Sequence, residues 1–314
     1  MAAPRWKVWT ALGAVDVIWG STYLAIAYAV DGLPPLLTAA ARFVVAAALL
    51  SLVVLVRKGS SPFRAPARSY LSAALVGLLL LLGGNGGVML AESRGLPSGL
   101  TALLIAIVPL FVVLLRLSIR DRPSRRTLFG VGVGFLGLGV LLLPGTRPSG
   151  VSGATASIVL VGSLLWATGS VVASRTRLPE NALVTTSAQM LGGAVGLAVA
   201  GLLKGEHLPT GHVKPSAYVA FAYLIVFGAV VAFTAYSWLL SNVPVSTAAT
   251  YAYVNPVVAV ALGAAVKGER ITALGIVGGL ITVVAVAMVV SEAPRSAVDQ
   301  VPEDRHGRLR RSAT

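Results

Sequence analysis

Residues 98–118 read SGLTALLIAIVPLFVVLLRLS, a run whose single charge, Arg116, falls near its end. A helix needs about 20 predominantly apolar residues to cross the hydrocarbon core of a bilayer, and this stretch supplies them. It also carries a proline, Pro109, in its interior. Shifted by 147 residues it falls on 245–265, VSTAATYAYVNPVVAVALGAA, where Pro256 takes the place of Pro109 and Pro244 that of Pro97. The same offset places Trp19 on Trp166, Thr38 on Thr185 and Arg42 on Gln189. The fifth apolar runs align after a two-residue gap, Gly130 on Gly275 and Gly134 on Gly279. Chance pairs Leu with Val easily, but Trp and Pro much less so. The chain therefore reads as one unit written twice.

Working outward, ten segments have the length and apolarity of a span or nearly so: 8–29, 36–56, 70–90, 98–118, 127–143, 154–174, 182–203, 217–239, 246–266 and 272–291. The fifth is short and glycine-rich. The expected fold is an all-α membrane protein of ten transmembrane helices in two inverted five-helix repeats. Residues 1–146 form the first repeat and 147–291 the second, and 292–314 read as a disordered, polar cytoplasmic tail. An odd number of spans per repeat inserts the second copy upside down. With the N-terminus inside, cytoplasmic segments hold eighteen Lys and Arg and external loops six, the bias that membrane insertion requires. The strongly basic stretch Arg120–Arg126 and its nearly balanced counterpart Lys267-Gly268-Glu269-Arg270 fit opposite faces.

Composition narrows the function. Hydrophobic residues make up 56% of the 314 and charged residues 11%, with mean hydropathy +0.85. Soluble domains carry about 25% charged residues. The net charge of +14 lies in short connections between apolar runs, so nucleic acid is not an expected partner. There is no cysteine, which removes disulfides, thiolate metal sites and thiol nucleophiles. Gly150-Val151-Ser152-Gly153 resembles a serine-protease turn, but His207, His212 and His306 all fall in loops or the tail. No P-loop lysine motif and no paired aspartates for a metal diphosphate are present. Neither an enzyme, a cofactor nor a metal is expected. Ala25-Ile26-Ala27 resembles a signal-peptidase site, but the run before it is long and holds Asp16, so the first segment reads as an uncleaved helix.

Ionisable groups at membrane depth are costly and usually face a cavity or a partner. Asp16 lies mid-way along the first span, Arg42 in the first third of the second, and Glu92 near the external end of the third. Asp16, Trp19 and Tyr23 share a helical face. Two readings of Asp16 stand open: a titratable group on a cavity wall, or a structural clamp to Arg42. Thr38 and Arg42 share a face, as do Thr185 and Gln189. They either converge on a substrate near the repeat axis, with Arg42 favouring a carboxylate or phosphate, or hold the bundle by interhelical hydrogen bonds. Further polar stripes are Asn85, Met89 and Glu92, and Thr247, Tyr251 and Asn255. Trp166 sits in the middle of the sixth span, and Tyr236 and Trp238 in the eighth. Pro109 and Pro256 each free a carbonyl and suit a bend or a gate. The pairs Gly130/Gly134, Gly192/Gly196 and Gly275/Gly279 have the spacing of helix-packing contacts.

Trp19-Gly20-Ser21-Thr22-Tyr23, Leu33-Pro34-Pro35, Arg42-Phe43, Leu90-Ala91-Glu92, Pro97-Ser98-Gly99 and Tyr253-Val254-Asn255-Pro256 followed by Gly268-Glu269 resemble the EamA-type family of the drug/metabolite transporter superfamily. The resemblance runs through both repeats. It implies ten helices in inverted repeats with both termini cytoplasmic, and carriers, often exporters, of amino acids, metabolites or toxic compounds. Two departures stand out: Ala27, where the family often has a basic residue, and Asp16, where it commonly has a neutral one.

The expected function is therefore secondary active transport of a small metabolite by alternating access, in the direction of export, in the bacterial inner membrane. Expected cavity residues are Trp19, Arg42, Asn85, Trp166, Gln189, Tyr251 and Asn255, with Asp16 or Glu92 carrying a coupling proton. The expected partners are a small-molecule substrate and the lipid bilayer, the chain acting as monomer or homodimer. The rival readings are a nucleotide-sugar or lipid-linked carrier, for which one cavity cation is few, an intramembrane enzyme, and a non-transporting scaffold.

Overall fold

In hydrocarbon no water satisfies a bare N–H or C=O, so each apolar run must bond its backbone within itself as a helix. The computed structural model describes residues 4–118, 123–143, 152–209, 211–243 and 251–291. Among these, the runs form ten rods: α1 Arg5–Ala29, α2 Pro35–Lys58, α3 Ala67–Ser93, α4 Ser98–Ser118, α5 Arg125–Leu142, α6 Gly153–Ala173, α7 Ala182–Leu203, α8 from Pro215 to Asn242, α9 Tyr251–Lys267 and α10 Ala273–Ser291. Nine have the length and apolarity to cross a membrane, and α9 adds a described length of 17 residues. The expected Pro244 and Thr247, Arg120 and Arg122, Arg147, Gly150, Val151, His306 and the tail 292–314 lie outside the described residues.

The ends of the rods follow from local chemistry. Proline, which has no N–H to lose, opens α2 and α8. Ser124, Ser152 and Asn181 cap α5, α6 and α7, their side-chain oxygens accepting from Thr127, Thr155, and both Leu183 and Val184. Ser152 is thus a helix cap. Gly59, Gly95, Gly205 and Gly268, with φ between 65° and 85°, follow α2, α3, α7 and α9 at positions where a Cβ would be strained.

The packing is symmetric. α1 lies against α8 and α9, while α6 lies against α3 and α4. α2 runs along α7, α5 along α10, and α4 crosses α9. Exchanging the halves returns the same set of pairs. Their sense is opposite. Glu206, just beyond α7, accepts hydrogen bonds at the start of α2 from the Leu36 and Leu37 N–H groups at 2.9 and 3.0 Å. Glu269, just beyond α9, accepts at the start of α4 from the Ser98 and Gly99 N–H groups at 3.0 and 3.1 Å, and from the Ser98 hydroxyl. Each counterpart pair is therefore antiparallel, as an inverted five-plus-five repeat demands.

Two features depart from ideal helices. Both α3 and α8 contain a π-helical stretch, Leu78–Asn85 and Leu224–Val231, at matching places in the two halves. A π turn inserts a residue, rotates the following face and leaves backbone carbonyls free for other donors. α4 unwinds at Ala106 and Ile107, just ahead of Pro109, whereas α9 remains helical around Pro256.

α5 and α10 form a closely packed pair. A Cβ on Gly137 would lie 2.9 Å from the Gly278 carbonyl oxygen, and one on Gly278 3.0 Å from that of Gly137. Among helices surrounded by lipid such backbone contact is itself the adhesive force, because lipid is as apolar as leucine. Overpacking typically costs about 1–3 kcal/mol. Gly137→Val is expected to lower the thermal midpoint of the detergent-solubilised protein. Gly132→Val, at a position with open space around it, is expected to leave it unchanged; equal midpoints for the two variants would refute this pairing.

Candidate functional site

A cavity of about 150 Å³ lies where the two halves meet, with walls from α1, α2, α3, α4, α6, α8 and α9. Its lining is mostly apolar, with Arg42, Asn85, Asn255, Thr22, Tyr23 and Tyr251 as its polar groups.

The aromatic wall is built around Trp19. Phe233, Tyr236 and Tyr251 surround its ring with centroids 5.2, 5.1 and 4.9 Å away, and the Tyr251 contact is edge-on at 83°. Edge-to-face contact suits the ring quadrupole. The indole N–H donates at 3.2 Å to the carbonyl of Gly228, which lies within the π stretch of α8. Trp19 therefore has its orientation set by three rings and one hydrogen bond. α1 comes close to α9 at Gly20, where a Cβ would meet Val258 at 2.6 Å. Asn255, oriented so that its amide finds acceptors, donates to the carbonyls of Tyr251 at 3.2 Å and Asp16 at 3.0 Å, joining α9 to α1.

The opposite wall comes from α3 and α6. Trp166 packs across Gly84, where a Cβ would fall 2.6 Å from its ring. Gly84 and Asn85 are the last residues of the α3 π stretch, and both border the cavity. The Asn85 side-chain oxygen is buried without a partner.

Arg42 sits between the walls. It is 4% exposed, and its Nε and Nη1 are buried without a hydrogen-bond partner. Gly228 leaves room for its Nη2, which would stand 3.5 Å from a Cβ there. Burying an unpaired charge costs several kcal/mol, so a guanidinium held in this way is a strong local feature.

Six of the seven expected cavity residues, Trp19, Arg42, Asn85, Trp166, Tyr251 and Asn255, border this space, as do Pro109 and Pro256. The residues whose carbonyls the prolines release, Ile105 and Ala252, border it too. Gln189 does not. It is half-buried, and its backbone carbonyl stands where a Cβ on Gly77 would be. α3 packs along α7 more extensively than α8 along α2, and Gln189 lies off the cavity that Arg42 borders. Thr185 is likewise taken, donating to the Pro179 carbonyl at 2.7 Å. The two threonine-led faces therefore do not converge.

The expected carboxylates lie off the cavity. Asp16 has a buried Oδ1 with no partner, and among the described residues it forms no ion pair with Arg42, so the clamp between α1 and α2 is absent. Glu92 is 6% exposed, within electrostatic reach of Glu269, Lys267 and Tyr23. The Thr101 hydroxyl beside it is engaged by the Pro97 carbonyl at 3.0 Å. Met89 of the same stripe is core. Among the described residues no cluster of three His, Asp or Glu could hold a metal. Tyr23, Thr22, Phe233 and Gly84 join the site without having been singled out for it. Tyr23 shares the Asp16–Trp19 face and so had a signal; Phe233 had none.

The EamA-like transporter family model matches residues 5–143 and again 154–291. The chain belongs to the EamA-like transporter family. This EamA-like chain is 39% identical over 272 residues to the uncharacterized inner membrane transporter YedA of Escherichia coli (strain K12), covering 85% of this chain and 87% of that one. It is 23% identical over 287 residues to the uncharacterized transporter YyaM of Bacillus subtilis (strain 168), covering 89% and 92%. A solved crystal structure at 19% identity superposes with a TM-score of 0.63 over 91% of this chain and 96% of the other, a likeness of fold.

Because Trp166 lies on a bare glycine, Gly84→Val is expected to push the indole off α3. The fluorescence attributable to Trp166, taken as the difference from the Trp166→Phe protein, should shift to the red in the Gly84→Val background. An unmoved difference spectrum would mean that the ring does not depend on Gly84.

Proposed function

We propose that this EamA-like chain is a secondary active exporter of a small metabolite in the bacterial inner membrane. It works by alternating access, residues 1–146 rocking against 147–291. The observation that carries the reading is the cavity between antiparallel halves, with the unpaired Arg42 on its wall. A bundle built only for packing would gain by exchanging that arginine for an apolar residue. The names of the relatives, transporters of an inner membrane or of unspecified location, agree with it.

In this reading Trp19, Arg42, Asn85, Trp166, Tyr251 and Asn255 bind substrate, and Pro109 and Pro256 serve as hinges beside it. The unwound turn at Ala106 and Ile107 supports the first hinge, since a broken helix absorbs rotation at little cost. Asp16 and Glu92, whose buried carboxylate oxygens lack hydrogen-bond partners, carry the coupling proton in this reading. With the charge bias placing both termini in the cytoplasm, the Glu206 and Glu269 caps tie the external ends of α2 and α4. Among the described residues Arg42 is the one cation bordering the cavity, which disfavours a nucleotide sugar or another multiply charged phosphate cargo.

The cysteine-free chain allows orientation to be read directly. Single cysteines replacing Lys58 and Arg125 are expected to react with an impermeant maleimide only in everted vesicles, and those replacing Lys214 and Arg270 only in intact cells. Labelling of Arg125→Cys and Arg270→Cys from the same side would overturn the topology. Export is tested by comparing metabolites inside and outside cells with and without the chain. A solute found this way is then followed in proteoliposomes across pH. Proton coupling through these carboxylates predicts that Asp16→Asn or Glu92→Gln removes the pH dependence of flux; an unaltered profile in both variants rejects it.

A further inference from the structure

The charge balance of the cavity is one-sided, and this bears on what the cavity can hold. Its one cation among the described residues, Arg42, is buried, and two of its nitrogens are without a partner. Among the described residues no carboxylate borders the cavity, since Asp16 and Glu92 both lie off it. The oxygen of Asn85 is likewise unanswered. An ammonium group entering here would find neither a carboxylate nor an open aromatic face around Trp19, whose ring is already surrounded by Phe233, Tyr236 and Tyr251. An anion would find a guanidinium with hydrogen bonds to give, in a setting that strengthens them. The remaining wall, from Phe43, Leu81, Val88, Ile105 and Trp166, is apolar. A dry apolar cavity near 150 Å³ is large enough for a benzene ring.

We propose that the cavity takes a small organic monocarboxylate with an apolar body about the size of one ring and no ammonium group, its carboxylate on Arg42. The assignment rests on the reading of this cavity as the substrate site. It separates this chain from a carrier of zwitterionic amino acids. Such a ligand would present the same carboxylate but bring a cation with no carboxylate to meet it, only neutral oxygens such as that of Asn85, at the cost of desolvating that cation.

The test uses the full chain in lipid nanodiscs at pH 7.5 and three probes of one skeleton: phenylacetate, phenylacetamide and 2-phenylglycine. Binding is followed by calorimetry and by the fluorescence of the cavity tryptophans. Phenylacetate is expected to bind at least tenfold more tightly than phenylacetamide, which lacks the charge, and than phenylglycine, which adds the ammonium. Arg42→Gln should erase the preference over the amide, and Arg42→Lys should restore part of it. Phenylglycine binding as well as phenylacetate, or the amide binding as well as the acid, overturns the proposal on the wild-type protein alone, whether or not the Arg42 variants fold. Phenylacetate binding in a chain that moves no solute in proteoliposomes would defeat the transport reading and leave the ligand class standing. Flux of other solutes with no binding of phenylacetate would do the reverse.

Discussion

Two carboxylates hold the halves of this bundle in register. Glu206 and Glu269 both come from the second repeat, and both accept the exposed N–H groups at the start of a first-repeat helix, α2 and α4. A helix begins with N–H groups that have no partner within it and with the positive end of its dipole, so a carboxylate is the natural cap. These caps differ from ordinary ones in coming from the opposite half of the chain. The cap therefore joins rather than merely ends a helix. At the repeat offset, the counterparts of these two residues are Gly59 and Arg122, and neither side chain can accept a hydrogen bond. Among the described residues this tie is found on one face only.

Between the tied ends, the interior depends on irregular backbone. Straight helices of leucine, valine and alanine pack without leaving space or spare acceptors. The π stretch of α3 and the unwound turn of α4 break that regularity at the cavity wall, and the π stretch of α8 does so just behind it, at Trp19. The carbonyl of Gly228 accepts from the Trp19 indole, and Gly84 at the end of the other π stretch supports Trp166. The two tryptophans related by the internal repeat thus face one cavity from opposite walls. Irregular backbone is tolerated at membrane depth only where protein or a cavity covers it, and here it is covered by the rings it positions.

Much of this was open to reading from the residues, and the physical reason is that a bilayer permits few solutions. Ten apolar runs could become little other than ten helices. The Pro109/Pro256 and Trp19/Trp166 pairs gave away the duplication, since neither residue type is interchangeable in a span. Boundaries were read less well: α3 extends from 67 to 93 rather than 70 to 90, because its flanking turns are helical yet not apolar. The π stretches left no trace in composition, an extra residue per turn being invisible among leucines. Nor did the caps of Glu206 and Glu269, whose partners lie about 170 residues away. The pairing of Asp16 with Arg42 was a fair reading of two opposite charges on adjacent spans. It is absent because Asp16 and Arg42 face different neighbours.

The contrast between Arg42 and Gln189 shows how duplication yields an asymmetric cavity. Both began as the same position, and the fold still gives them equivalent surroundings: α2 between α7 and α8, α7 between α2 and α3. A glycine, Gly77, lets α3 close over Gln189. α8, less closely applied to α2, leaves Arg42 facing the cavity. A charge at position 189 would lie off the cavity, packed beside α3. Among the described residues the cavity's one cation thus stands on the α2 side. The fold repeats while its residues do not: one copy of the position brings a charge to the cavity, and the other is packed against α3.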